Sequence, residues 1–340
     1  MELDFFTLSE SLYKQRYQAG EISYHTLSGA LSMLGDFRLF CAQAAPWNPL
    51  RPEHITQDLL HRYKLYCVEK GNKPVTVNRK LTPLLLSLKK AGVSGLESVY
   101  FPMRTRRYGQ EAGQIFPDEN ERTHHLSDAQ LRRLLRFGRE SKKETVRKSL
   151  HLFFFSFHAC GLRVSDIITL EWRNIDFRKA RLSKISVKTK SPITIPLSAP
   201  AMAILQCYKG IHERFVFGLL PDDMVLNDDA ALARTIDYRN RSLRMTLNRI
   251  GRELGFPFPL GMHVARHTFA VKALNATKLN VHMISRLLGH ASVLVTEKVY
   301  ARYLLPTLAE EVKKNSHFRN LRRILCKIHE VLKKKVIFAY

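Results

Sequence analysis

Arg163, His263, Arg266, His290 and Tyr300 follow one another along this chain. Together they are the side chains needed to attack a phosphodiester without a metal. Such an attack requires a phenolate in line, positive charge on the nonbridging oxygens and an acid for the departing oxygen. Tyr300 can supply the phenolate, but a phenol titrates near about 10 and must be activated by neighbouring cations and a base. Arginine suits the phosphoryl oxygens because its planar fork binds two at once and stays charged. Arg163 and Arg266 are the candidates for that task. His263 and Arg266 are three residues apart, so a helix places both on one face. Taken singly, Arg163 also fits a capping arginine, Gly289 a helix C-cap and Tyr300 a core aromatic; the ordered set is what points to chemistry.

The elements that must position these residues follow from hydrophobic spacing. Residues 1–100 read as helical. A stripe of Leu27, Ala30, Leu31, Leu34 and Phe37 marks one helix, residues 55–68 resume the spacing through Leu59, Leu60, Tyr63 and Cys67, and residues 75–91 carry Val77, Leu81, Leu84, Leu85 and Leu88, with Pro83 inside. Residues 101–124 lack periodicity, hold several glycines, prolines and arginines, and read as an interdomain linker. A second domain opens at Ser127, an apt N-cap, and runs over residues 125–340. The apolar stretch at residues 150–162 is expected to be a buried helix leading into Arg163. Ile185 and Val187, then Ile193, Ile195 and Leu197, alternate with polar residues, which indicates a β-hairpin joined by residues 188–192. A terminal helix at about residues 318–335 sets Leu321, Ile324, Leu325, Ile328, Val331 and Leu332 on one face, which needs a partner in the same chain or in a neighbouring subunit. The fold class expected is mainly α with a small β-sheet.

The 340 residues carry a formal charge of +25, and 45% are hydrophobic. That balance is ordinary for a globular core and points to a polyanionic partner. Five cysteines, odd in number and far apart, argue against a disulfide framework or a zinc site and for a reducing, cytoplasmic setting. The acidic start, Met1-Glu2-Leu3-Asp4, does not read as a signal peptide, and residues 150–162 are too short to span a bilayer. No P-loop and no carboxylate cluster spaced for Mg²⁺ is present.

Gly161-Leu162-Arg163-Val164-Ser165-Asp166, His263-Val264-Ala265-Arg266-His267-Thr268-Phe269-Ala270, and Leu288-Gly289-His290 with Thr296-Glu297-Lys298-Val299-Tyr300 resemble the boxes of the tyrosine recombinase (phage integrase) family. The resemblance implies an α+β catalytic domain behind a helical, SAM-like core-binding domain, to which Val75-Thr76-Val77-Asn78-Arg79-Lys80-Leu81 is similar. It implies that Arg163 and Arg266 contact the scissile phosphate, that His263 helps with proton transfer and that His290 hydrogen-bonds the phosphate. Asp166 stands where the family has an acidic residue. Val187-Lys188-Thr189-Lys190 resembles the hairpin of the general-acid lysine, with Lys188 in register and Lys190 as the alternative. The step from His290 to Tyr300 is one residue longer than the family's usual one, which keeps Tyr303 as a second candidate nucleophile.

The activity so implied is site-specific cutting and rejoining of DNA through a 3′-phosphotyrosyl link, with no metal, ATP or other cofactor. The implied partners are double-stranded DNA with paired half-sites and further copies of the chain, a homotetramer held through the C-terminal helix, with no membrane and association with a bacterial nucleoid. With the chain starting close to the core-binding helices, a minimal two-domain recombinase is expected. Three other readings share parts of the pattern: a type IB topoisomerase, an inactive DNA-binding relative, and a basic nucleoid or RNA-binding protein.

Overall fold

The structure is a computed structural model that describes residues 4–44, 49–102, 124–227, 230–276, 280–289, 292–294 and 296. Residues 103–123 of the expected linker and the expected tail helix lie outside the described residues. The chain divides into two compact units, Met1–Asn120 with Leu226–Arg234, and Glu121–Val225 with Thr235–Tyr340.

The first unit is helical. Asp4 caps α1 (Phe5–Gln18) by accepting from the amides of Phe6 and Thr7, as an N-cap carboxylate should. The leucine stripe becomes α2 (Tyr24–Ala44), the next becomes α3 (Gln57–Glu69) capped by Thr56, and the third becomes α4 (Pro74–Lys90) with Pro74 in its first turn. Their apolar faces meet in one core, where the Phe37 and Tyr63 rings lie edge to face at 4.9 Å. Asn78 on α4 has a task invisible in the sequence. Its amide donates to Phe101 O and its carbonyl accepts from Phe101 N, each at 2.8 Å, so it pins the backbone at Phe101 to α4.

The second unit combines helices with a small antiparallel sheet. Ser127 and Gln130 form a capping box at α5 (Asp128–Glu140). The apolar stretch that leads towards Arg163 belongs to α6 (Glu144–His158), with Phe153 and Phe155 fully buried. After the short α7 (Val164–Ile168) come β1 (Ile175–Asp176), β2 (Arg181–Ile185) and β3 (Pro192–Pro196), antiparallel in that order. α8 (Ala199–Gln206), α9 (Ala230–Glu253, in this unit from Thr235 on), α10 (Met262–Ala276) and α11 (Val281–Leu288) follow. Leu243, Leu247 and Ile250 of α9 join the core around α6. Leu126 N donates to Thr268 Oγ1, and Lys272 pairs with Asp128, so the start of this unit is fastened to α10. Among the described residues no helix is long and apolar enough to cross a membrane.

The hairpin differs from expectation in its boundary. β2 does not extend through Val187; it ends at Ile185, and the turn runs from Ser186, whose amide bonds Ser191 O at 2.9 Å. The Val187 amide is taken instead by the Asp166 carboxylate at 2.7 Å, which removes it from the ladder. A third strand, β1, also joins the two that the alternation indicated.

Candidate active site

Arg163 is delivered by a tight turn at the end of α6. The Gly161 amide bonds back to Ser156 O at 2.8 Å, and Ser156 Oγ donates to Leu162 O. Gly161 has φ +70°, the left-handed region that favours glycine as a helix stops. A Cβ there would also lie 3.1 Å from Arg266 Cγ and 3.1 Å from Leu288 Cδ2. Glycine is therefore needed both for the turn and for the approach of α10 and α11. Arg163 then caps the N-terminal end of α7 in an extended conformation.

The two arginines converge on the end of α11. Arg266 is buried; its Nη1 donates to Gly161 O and its Nη2 to Leu288 O, both at 2.6 Å. Arg163 Nη2 donates to Gly289 O at 2.9 Å. Gly289 ends α11 in the left-handed conformation, φ +60°. Its carbonyl and that of Leu288 are among the last four of the helix, which lack partners within it, and the cations also meet the negative end of the helix dipole. A Cβ on Gly289 would stand 3.2 Å from Ile193 Cγ2 and 3.5 Å from Arg163 Nη1. The guanidiniums are thus oriented by backbone before any ligand arrives.

His263 lies one helical turn before Arg266 on α10. The residue is exposed at the surface, yet the protein packed beside it takes water from the ring, and the charges of Arg266, Lys188 and Arg163 act in the same direction. All four causes hold its pKa below the ordinary 6.5, so the imidazole is neutral near pH 7. Arg163 is itself lowered from the usual guanidinium value by burial, against the favourable charge of Asp166.

Lys188 is exposed on the β2–β3 turn, near enough to His263 for its charge to act there. Asp166, fully buried on α7, holds the base of that turn. Its Oδ1 accepts from Val187 N at 2.7 Å and its Oδ2 from Ser186 Oγ at 3.1 Å. Lys190, the alternative, takes φ +52° at the far end of the turn, its amide bonded to Ser186 O. The structure thus brings Arg163, Arg266, His263 and Lys188 to one place, and gives Asp166 a structural task beneath them. His290, Tyr300 and Tyr303 lie outside the described residues. Lys184, half-buried below the turn, was not singled out by sequence reasoning; the one signal was a lysine at an inward position of an alternating strand. Among the described residues, no group of three or more His, Cys, Asp or Glu side chains could hold a metal ion.

The family profile described as Phage integrase family matches residues 124–304, more than half of the chain. Among curated relatives, the tyrosine recombinase XerC of Ralstonia pickettii (strain 12J) is 26% identical over 208 residues, 56% of this chain and 56% of the relative. XerC of Chromohalobacter salexigens is 28% identical over 197 residues, 57% of this chain and 60% of the relative. The chain therefore spans little more than half the length of these two relatives. Among solved structures, the Tn1549 transposon integrase in complex with transposon right end DNA superposes with a TM-score of 0.65 at 17% identity, covering 92% of this chain and 100% of the other. A lambda integrase dimer bound to a COC′ core site gives 0.54 at 16% identity, covering 87% and 76%. These two likenesses show the fold. With the profile match across α5 to α11 and the cluster it encloses, the chain belongs to the phage integrase family of tyrosine recombinases.

Proposed function

We propose that this chain is a site-specific DNA recombinase that cuts and rejoins DNA through a 3′-phosphotyrosyl intermediate. The observation that supports this reading most strongly is the pair of oriented guanidiniums beside a neutral imidazole. Arg163 and Arg266 hold the nonbridging oxygens of the scissile phosphate and neutralise the charge that grows on them. The Tyr300 oxygen attacks phosphorus, passing its proton to His263, and the bond from phosphorus to O5′ breaks. The Lys188 ammonium protonates that leaving oxygen. His290 adds a hydrogen bond to the phosphate. The 5′-hydroxyl of a partner strand then attacks the phosphotyrosine and regenerates the phenol. The ester conserves the bond energy, so the cycle needs no ATP, and the cations do the work of a metal.

Solved relatives were captured on transposon-end and core-site DNA, and this chain's +25 charge suits the same class of partner. Two protomers occupy each crossover site, and two sites pair in a tetramer, with the helix at about residues 318–335 docking on a neighbour. The test is strand exchange on a plasmid carrying two copies of the ends of the genetic element that encodes the chain, in chelator and without nucleotide. Two recombinant circles, or one inverted circle, are expected. Relaxation of a plasmid lacking those ends, without exchange, would instead make it a topoisomerase.

A further inference from the structure

Lys184 takes no part in the chemistry above, yet it occupies a costly position. It faces inward on β2, on the side of the fully buried Leu182, while Ile185 is 59% exposed. An alternating strand would ordinarily place an apolar residue there. The Lys184 ammonium donates to Asp166 O at 2.9 Å, Thr169 O at 3.2 Å and Thr169 Oγ1 at 2.7 Å, which engages all three of its N–H bonds. Burial draws its pKa down to about 8, against the favourable charges of Asp166 and Glu171.

All three acceptors belong to the carbonyl end of α7. The Asp166 carboxylate grips the other side of the same joint through Ser186 and Val187. These two clasps flank Ile185, so neither the strand end nor the turn can slide along the helix. α7 begins directly after Arg163, and Lys188 is the next residue after Val187. The separation of Arg163 from Lys188 is therefore carried by a five-residue helix held at two points.

We infer that Lys184 is a positioning residue: docked on Asp166 and Thr169, it fixes the hairpin so that Lys188 meets the leaving oxygen of a phosphate held by Arg163. This rests on the recombinase reading, with Lys188 as the acid. Misplacing a catalytic group by about 1 Å can cost on the order of 100-fold in rate.

The test uses the full chain and duplexes from the ends of its genetic element, in two forms that differ only at the scissile bond. One has the natural O5′; the other has sulfur in its place. A thiolate leaves without a proton, because thiols titrate near about 8.5, so the sulfur duplex needs no acid. In single-turnover cleavage below both melting temperatures, Lys184→Met loses about tenfold or more on the oxygen duplex. It returns to within about threefold of the unsubstituted chain on the sulfur duplex, as Lys188→Ala also does. Equal cleavage by Lys184→Met and the unsubstituted chain on both duplexes overturns the inference. So does an equal loss on both, which marks a role in folding alone. Should Lys184→Met fail to fold, Thr169→Val withdraws one acceptor with little change of shape, and a smaller loss of the same sulfur-relieved kind is expected. A loss that sulfur does not relieve overturns the inference there too. If the unsubstituted chain cleaves neither duplex, the recombinase reading itself falls; if it cleaves both and Lys188→Ala gains nothing from sulfur, only the inference falls.

Discussion

Arg163 and Arg266 donate to consecutive carbonyls, Gly289 O at 2.9 Å and Leu288 O at 2.6 Å, although they stand about a hundred residues apart in sequence. The end of α11 is thereby the template that orients both guanidiniums of the proposed phosphate clamp. Arg266 bridges it to the α6–α7 turn through Gly161 O. A lysine offers a point charge rather than a fork, so Arg266→Lys cannot hold both carbonyls in the same way. It should lower stability by about 1.5–3 kcal/mol, the scale of a lost hydrogen bond to a charged group, and cut cleavage by about 100-fold or more. Denaturant melts and single-turnover cleavage measure the two effects.

Gly161→Ala combines two penalties, a left-handed φ and a Cβ pressed against Arg266 and Leu288. Gly20 has a similar φ, +72°, but open space around it. Gly20→Ala should cost only the backbone strain, about 1 kcal/mol. Gly161→Ala should cost more and should also slow cleavage, because it displaces Arg266. Comparing the two variants by thermal melting separates strain from crowding.

The Asp166 carboxylate accepts from two donors, Val187 N and Ser186 Oγ. An amide has one oxygen, so Asp166→Asn turns an NH₂ towards one of them. A buried group left without its bond costs about 1–3 kcal/mol. Urea denaturation should show that loss, and cleavage should fall because the turn of Lys188 is loosened.

His263 should govern the acid limb of cleavage. Its pKa lies below 6.5 in the folded chain, so the rate should hold down to that value and decline only beneath it. His151 and His158 are lowered as well, mainly by burial. For each, the unfolded chain takes up a proton first as pH falls, so folding stability is full above 6.5 and declines below it. His263→Gln should abolish the acid limb of the rate, while His151→Gln should flatten only the pH dependence of Tm.

The helical stripes, the Ser127 cap and the helix before Arg163 were legible because apolar periodicity and capping chemistry are local. The order of Arg163, His263 and Arg266 was legible because each sits in a distinctive block. The end of β2 was not. Ile185 and Val187 look like one strand face, but a carboxylate from a helix that precedes the strand captures the Val187 amide, and no local pattern encodes that contact. Lys184 was missed for the same reason: an inward lysine is explained only by the Asp166 and Thr169 oxygens it meets. The clasp of Asn78 on Phe101 is likewise a long-range pairing.

Covalent trapping tests the central claim most directly. The chain, Tyr300→Phe and Tyr303→Phe are each incubated with nicked duplexes from the ends of the genetic element, without metal or ATP, then denatured and resolved on a gel. A slow protein–DNA band formed by the unsubstituted chain and by Tyr303→Phe, and lost with Tyr300→Phe, is the predicted result. A band that survives Tyr300→Phe and disappears with Tyr303→Phe would contradict the assignment of the nucleophile. No band from any of the three, despite tight salt-sensitive binding to the same duplexes, would contradict the enzyme itself.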